Sequence, residues 1–139
     1  MSILECCRAE VITASPEATA HEVARLMGES GVGSVVITGP DDCPLGIVTD
    51  RDLVLRVLAE NMDPKKVRAK EIMSGDLLVV EDGTGVYEAV RCARAEGVRR
   101  LPIVDCDGKL VGIITADDIV RLLAEELCCV TDIIREESP

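Results

Sequence analysis

Gly46-Ile-Val-Thr-Asp-Arg-Asp-Leu-Val54 returns further along the chain as Gly112-Ile-Ile-Thr-Ala-Asp-Asp-Ile-Val120. The offset is 66 residues (112 − 46), and Gly31-Val-Gly-Ser-Val-Val-Ile37 returns as Gly97-Val-Arg-Arg-Leu-Pro-Ile103 at the same offset. Glu22 and Arg25 map onto Glu88 and Arg91 in the same way. One gapless shift carries residues 5–60 onto 71–126, through glycines, apolar runs and polar positions alike. The chain is therefore a tandem duplication, and a repeat decides the fold before any single element does.

Each copy has the same pattern of elements. Residues 10–14 and 76–80 suit a short strand, and residues 17–30 and 84–96 carry apolar side chains at helical spacing, as in Ala20, Val23, Ala24 and Met27. Pro16 and Glu17 suit the first turn of the first helix. Gly31 and Gly97 stand where a left-handed C-terminal cap belongs. Residues 35–38, 45–49, 101–104 and 110–115 read as strands joined in pairs by hairpin turn chemistry. A second helix follows over 50–61 and 116–129. The expected organisation is repeat one at 7–62, a polar joint at 63–71, repeat two at 72–129 and a polar tail at 130–139. The fold class is α/β in the mixed (α+β) sense, two β-α-β-β-α units in one globule with pseudo-twofold symmetry. A unit of about 60 residues buries too little surface to stand alone, so the two are expected to pack their sheets into one shared core. That packing creates two related clefts between the units, where small ligands usually sit.

Composition narrows the function. The 139 residues amount to about one domain, and with 47% apolar and 29% charged residues a core is within reach. There is one Tyr and no Trp or Phe, so the chain lacks the aromatic faces on which single-stranded nucleic acid stacks. A net charge of −11 opposes any binder that works by neutralising phosphates along a duplex. No run reaches about 18 uninterrupted apolar residues, and Met1-Ser-Ile-Leu-Glu lacks a signal-peptide pattern. The expectation is a cytoplasmic protein with neither nucleic acid nor membrane as its partner.

The seven cysteines form no Cys-x-x-Cys, and an odd count is a poor disulfide framework. Small thiols filling gaps in an aliphatic core is one reading. A bridge or metal contact between Cys6-Cys7 and Cys128-Cys129 is the other, if the termini meet. Redox sensing requires in addition an exposed thiol of low pKa.

No catalytic constellation emerges. His21 is alone, and its counterpart in the second copy is Tyr87. No nucleophile elbow or Walker loop occurs, and Gly28-Glu-Ser-Gly-Val-Gly33 runs in the wrong order and context for a dinucleotide fingerprint. Asp105-Cys-Asp-Gly lacks the closing Glu of a calcium loop. A binding constellation is better founded. Thr49 with Asp52, and Thr115 with Asp118, lie where a strand gives way to a helix. There a hydroxyl and free amides can hold a phosphate, and a carboxylate can accept ribose hydroxyls. Simple helix capping accounts for the same pairs. Arg99-Arg100, before the strand, gives a positive spot suited to phosphate.

These units, with Gly97-Val-Arg-Arg-Leu-Pro-Ile-Val-Asp105 followed by a turn and Gly112-Ile-Ile-Thr-Ala-Asp-Asp118, resemble a pair of cystathionine-β-synthase (CBS) domains over residues 7–127. The resemblance implies a regulatory module rather than an enzyme, without a cofactor, binding AMP, ADP, ATP or an S-adenosylmethionine-type ligand. It implies a homodimer and an effector protein that the sequence does not name. A docking module with vacant clefts is the alternative. In the family each cleft draws on both repeats. Carried over by position, one cleft contains Thr49, Arg51 and Asp52 facing Val79, Arg99, Arg100 and Pro102. The other contains Thr115 and Asp118 facing Thr13, Gly33 and Ser34. Three arginines in the first cleft, against the extra acid Asp117 in the second, imply that phosphorylated ligands prefer the Asp52 cleft. A neutral or cationic adenosine compound then suits the Asp118 cleft, unless it stays empty.

Overall fold

The computed structural model describes residues 1–137. Unit one contains β1 (Thr13–Ala14), α2 (Ala20–Ser30), β2 (Ser34–Thr38), β3 (Pro44–Thr49) and α3 (Asp50–Leu53), which continues as a π-type turn over Val54–Leu58. Unit two repeats it with β4 (Val80–Glu81), α5 (Val86–Glu96), β5 (Arg100–Val104), β6 (Leu110–Thr115) and α6 (Ala116–Glu137). Two further short helices, α1 (Ile3–Cys6) and α4 (Ala69–Ile72), precede the respective units. Each unit has a three-stranded sheet, in the order β1-β2-β3 and β4-β5-β6, with one parallel and one antiparallel pair. The duplication is visible in the register: Ser34 pairs with Thr49 and Arg100 with Thr115.

Local chemistry explains the boundaries. Helix α2 starts at Ala20 rather than at Pro16-Glu17, because Thr19 and Glu22 close a capping box. The Thr19 hydroxyl accepts from the Glu22 amide at 3.2 Å, and the Glu22 carboxylate accepts from the Thr19 amide at 2.8 Å. Gly31 and Gly97 end α2 and α5 at φ of 64° and 65°, the left-handed region that favours glycine. Helix α6 runs to Glu137, so residues 130–137 of the expected tail are helical; Ser138 and Pro139 lie outside the described residues. Residues 132, 135, 136 and 137 are charged, but helical propensity and Ile133-Ile134 carry the helix through them.

The expected single core is in fact two. One cluster gathers Val23, Met27, Val35, Ile37 and Val48 of unit one with Ala69 and Ile72 of α4. The other gathers Val80, Ala89, Leu101, Ile103 and Ile114 of unit two with Ile3 of α1. Each sheet is thus capped on one face by its own helices and by a short helix from the other end of the chain's repeat. The chain exchanges these segments. The Ile3 amide donates to the Thr84 carbonyl at 2.8 Å, and Arg8 and Ile113 exchange two backbone hydrogen bonds at 3.0 and 3.1 Å. In mirror fashion the Ala69 amide donates to Ala18 at 2.7 Å, and Ser74 pairs with Ile47. The expected polar joint therefore carries core residues, Val67 and Ala69, alongside its lysines.

Close approach of the exchanged segments explains two glycines of the repeat. A Cβ at Gly46 falls 2.6 Å from Met73 Sδ and 2.8 Å from the Ser74 carbonyl oxygen. A Cβ at Gly112 falls 2.5 Å from Cys7 Sγ and 3.2 Å from the Arg8 carbonyl oxygen. Only glycine lets the crossing strand lie this close.

Candidate ligand cleft between the two units

Both Thr–Asp pairs cap their helices. The Thr49 hydroxyl accepts from the Asp52 amide at 3.1 Å, and Asp52 Oδ2 accepts from the Thr49 amide at 2.9 Å. At the second pair, Asp118 Oδ2 accepts from the Thr115 amide at 3.0 Å and from its hydroxyl at 2.8 Å, and the Asp118 amide donates back at 3.2 Å. The pairs differ in what meets the other carboxylate oxygen. Asp52 Oδ1 has Arg56 at 3.7 Å, from the next helical turn. Asp118 Oδ1 accepts from Arg8 Nε at 3.1 Å and Nη2 at 2.8 Å, with Arg121 at 3.8 Å. The Asp118 side chain is 7% exposed, against 14% for Asp52. Burial alone raises the Asp118 pKa, but hydrogen bonds from Thr115 and Arg8, with the Arg8 charge, outweigh it and hold the carboxyl below its ordinary value.

A cavity of about 190 Å³ opens between the units, lined among others by Arg8, Gly33, Ser34, Arg100, Thr115 and Asp117. Gly33, Ser34 and Thr115 meet here. Two other expected members do not. Thr13 lines a neighbouring cavity of about 200 Å³ beside Thr38 and Asp42. Asp118 lines a third, of about 280 Å³, with Glu5, Cys6, Arg8 and Arg121. Arg8 is common to the first and third cavities.

The arginines are arranged differently from the positional expectation. Arg100 lines the Thr115 cleft, its Nη2 3.8 Å from where a Cβ on Gly33 would stand. Among the described residues it has no ion-pair partner. Arg99 pairs with Asp117 at 3.6 Å, which offsets the extra acid on this side. The premise for a phosphate preference at Asp52 is thereby removed. Thr49, Arg51, Asp52, Val79 and Pro102 line none of these cavities; Arg51 and Val79 are exposed, and Pro102 is fully buried without surface for a ligand. Arg8 escaped the sequence reading because its place in the repeat is taken by Ser74. It reaches Asp118 only through the segment exchange.

The cysteines divide. Cys6 and Cys7 pack against the core of unit two, whereas Cys106, Cys128 and Cys129 are exposed, and all seven are free. Among the described residues no three His, Cys, Asp or Glu side chains come together as a metal site. Burial pushes the Cys7 thiol up, away from the thiolate that redox sensing requires.

Comparison with known proteins agrees with this architecture. The CBS domain family matches residues 3–59 and again 69–125. The chain therefore belongs to the CBS-domain family, as a tandem pair. An uncharacterised protein of Methanopyrus kandleri is 48% identical over 122 residues, which is 88% of this chain and 62% of that protein. This chain thus spans about three fifths of that relative's length. The solved structure of Hypoxic Response Protein I, with two coordinated zinc ions, is 30% identical with a TM-score of 0.79, covering 87% of this chain and 98% of that one. A CBS-domain pair solved with 5′-methylthioadenosine and S-adenosyl-L-methionine shares the fold at 23% identity, TM-score 0.80, covering 91% of this chain and 98% of that one.

Proposed function

We propose that this chain is a regulatory CBS-domain pair that binds an adenosine-containing ligand in the cleft between Arg8, Ser34, Arg100 and Thr115. The observation that carries the reading is Arg100. An acidic chain of net charge −11 holds a guanidinium without an ion-pair partner, among the described residues, on the wall of an inter-unit cavity, beside a hydroxyl. A guanidinium in such a place suits a phosphate. Within the adenosine class the reading therefore favours AMP, ADP or ATP over S-adenosylmethionine, and it places the phosphate on the Thr115 side. The ligand acts by binding one conformation better than another, with no cofactor and no chemistry of its own. His21 and its counterpart Tyr87 are both exposed, which suits a binding module rather than an enzyme. No helix among the described residues is long and apolar enough to cross a membrane. Seven free cysteines suit a reducing, cytoplasmic setting.

Thermal unfolding against AMP, ADP, ATP, NAD, S-adenosylmethionine and a GTP control tests the reading. A ligand at about 100 times its Kd adds roughly 2.7 kcal/mol, a shift of several degrees. Shifts confined to adenosine compounds, largest for the phosphorylated ones, are expected. Flat curves at millimolar ligand overturn the reading and favour the docking module with vacant clefts.

The active form in this reading is a homodimer. Exposed Val120, Leu123, Leu127 and Val130 recur at spacings of three and four along α6, and Val54, Leu55 and Leu58 are exposed on the second helix of unit one. A second copy covers both stripes. A solution mass of 14.9 kDa, that of one chain, contradicts it.

A further inference from the structure

We infer that Arg8 is the gate of this cleft and, beside Arg100, a residue by which it selects a phosphorylated ligand over the corresponding nucleoside. The inference rests on the nucleotide reading above.

Four hydrogen bonds from Thr115 and Arg8 converge on the Asp118 carboxylate, two on each oxygen. A carboxylate offers about four acceptor sites. As it stands, therefore, Asp118 has nothing left to offer a ribose diol. Two of the four donors come from the Arg8 side chain, which is 52% exposed, so solvent or a bound anion can take up the guanidinium when it leaves Asp118. Its backbone is fixed, because Arg8 exchanges hydrogen bonds with Ile113 at 3.0 and 3.1 Å. Any opening is accordingly a swing of the guanidinium about a pinned Cα.

The cavities give the swing its consequence. Arg8 lines both the cleft of about 190 Å³ that contains Arg100 and Thr115 and the cavity of about 280 Å³ that contains Asp118. Small-ligand sites occupy ~300–1,000 Å³, so the first is too small on its own and the two together reach that range. A phosphate beside Arg100 draws the Arg8 guanidinium towards itself. That movement joins the cavities and frees Asp118 Oδ1 to accept a ligand hydroxyl. Arg121, already 3.8 Å from Oδ1, stays behind to balance the buried charge. A nucleoside without phosphate has to displace Arg8 with nothing to offer it. Unit one has no such device, since Ser74 stands at the symmetry-related place and Asp52 pairs within its own helix.

Equilibrium dialysis of AMP and of adenosine against the full chain, Arg8→Ala and Arg8→Met tests the gate. The wild type is expected to bind AMP at least about tenfold more tightly than adenosine, as one charge-assisted contact supplies. In both variants AMP weakens by about tenfold or more while adenosine binds equally or more tightly, so the preference narrows by at least that factor and what remains is the part that Arg100 supplies. Arg8→Met keeps the packing of the stem, and its unliganded melting curve reports whether the fold survives. A preference for AMP that keeps its wild-type size in folded variants overturns the gate and leaves the nucleotide reading standing. Equal weakening of both ligands also overturns it, because a merely structural Arg8 acts that way. A wild type that binds neither ligand overturns the nucleotide reading and the gate together.

Discussion

Ile3→Ala is expected to lower the stability of the whole chain by about 3 kcal/mol, and the unfolding midpoint by roughly 10 °C. Most single substitutions cost less than this. Ile3, however, is fully buried in the cluster that contains Leu101, Ile103 and Ile114 of unit two. The segment around it is tied down by the Ile3–Thr84 hydrogen bond and by the Arg8–Ile113 pair. Truncation to Ala removes three carbon atoms from a packed site and leaves a cavity that neighbouring β-strand side chains cannot close. Leu4→Ala, one residue on, is the control: its side chain is exposed and its loss is expected to stay within about 0.5 kcal/mol. Chemical denaturation of both variants decides the matter. Equal, small effects contradict the segment exchange.

Arg100→Ala is expected to weaken AMP binding by roughly 10- to 100-fold, the range of one or two charge-assisted hydrogen bonds. The magnitude follows from position. Arg100 is held by β5 opposite Thr115, half-buried at the cleft wall, so its guanidinium is partly pre-organised. Its charge has no carboxylate to give up among the described residues. Arg99 contrasts with it, exposed and already paired with Asp117 at 3.6 Å, and its removal is expected to change binding little. Binding of AMP that is unaffected by Arg100→Ala contradicts the proposed placement.

The fold was legible because a duplication prints its elements twice. Strand ends, hairpins and the left-handed Gly31 and Gly97 all followed from residue chemistry and the constant offset. Local competition went unread in two places. Thr19 with Glu22 outbids Pro16-Glu17 for the start of α2, and α6 outruns its apparent end at 129. Long-range exchange went unread altogether. Nothing in the short apolar runs around Ile3 and Ala69 says which sheet they cover, and the single core expected from sheet-on-sheet packing gave way to two. The site suffered from the same gap. Thr115, Gly33 and Ser34 line one cavity. Arg100 joins them on the Thr115 side, a placement that carrying residues over by position did not give. Arg8 was invisible because only the crossing of the N-terminal segment brings it to Asp118.

The most direct measurement is calorimetric titration of AMP into the wild type, Arg100→Ala and Arg51→Ala. Arg51 stands for the Asp52 side and Arg100 for the Thr115 side. Binding that is retained in Arg51→Ala and lost or weakened at least about tenfold in Arg100→Ala is the expected result. Binding lost in Arg51→Ala and intact in Arg100→Ala contradicts the account, for it moves the ligand to the opposite face of the pair.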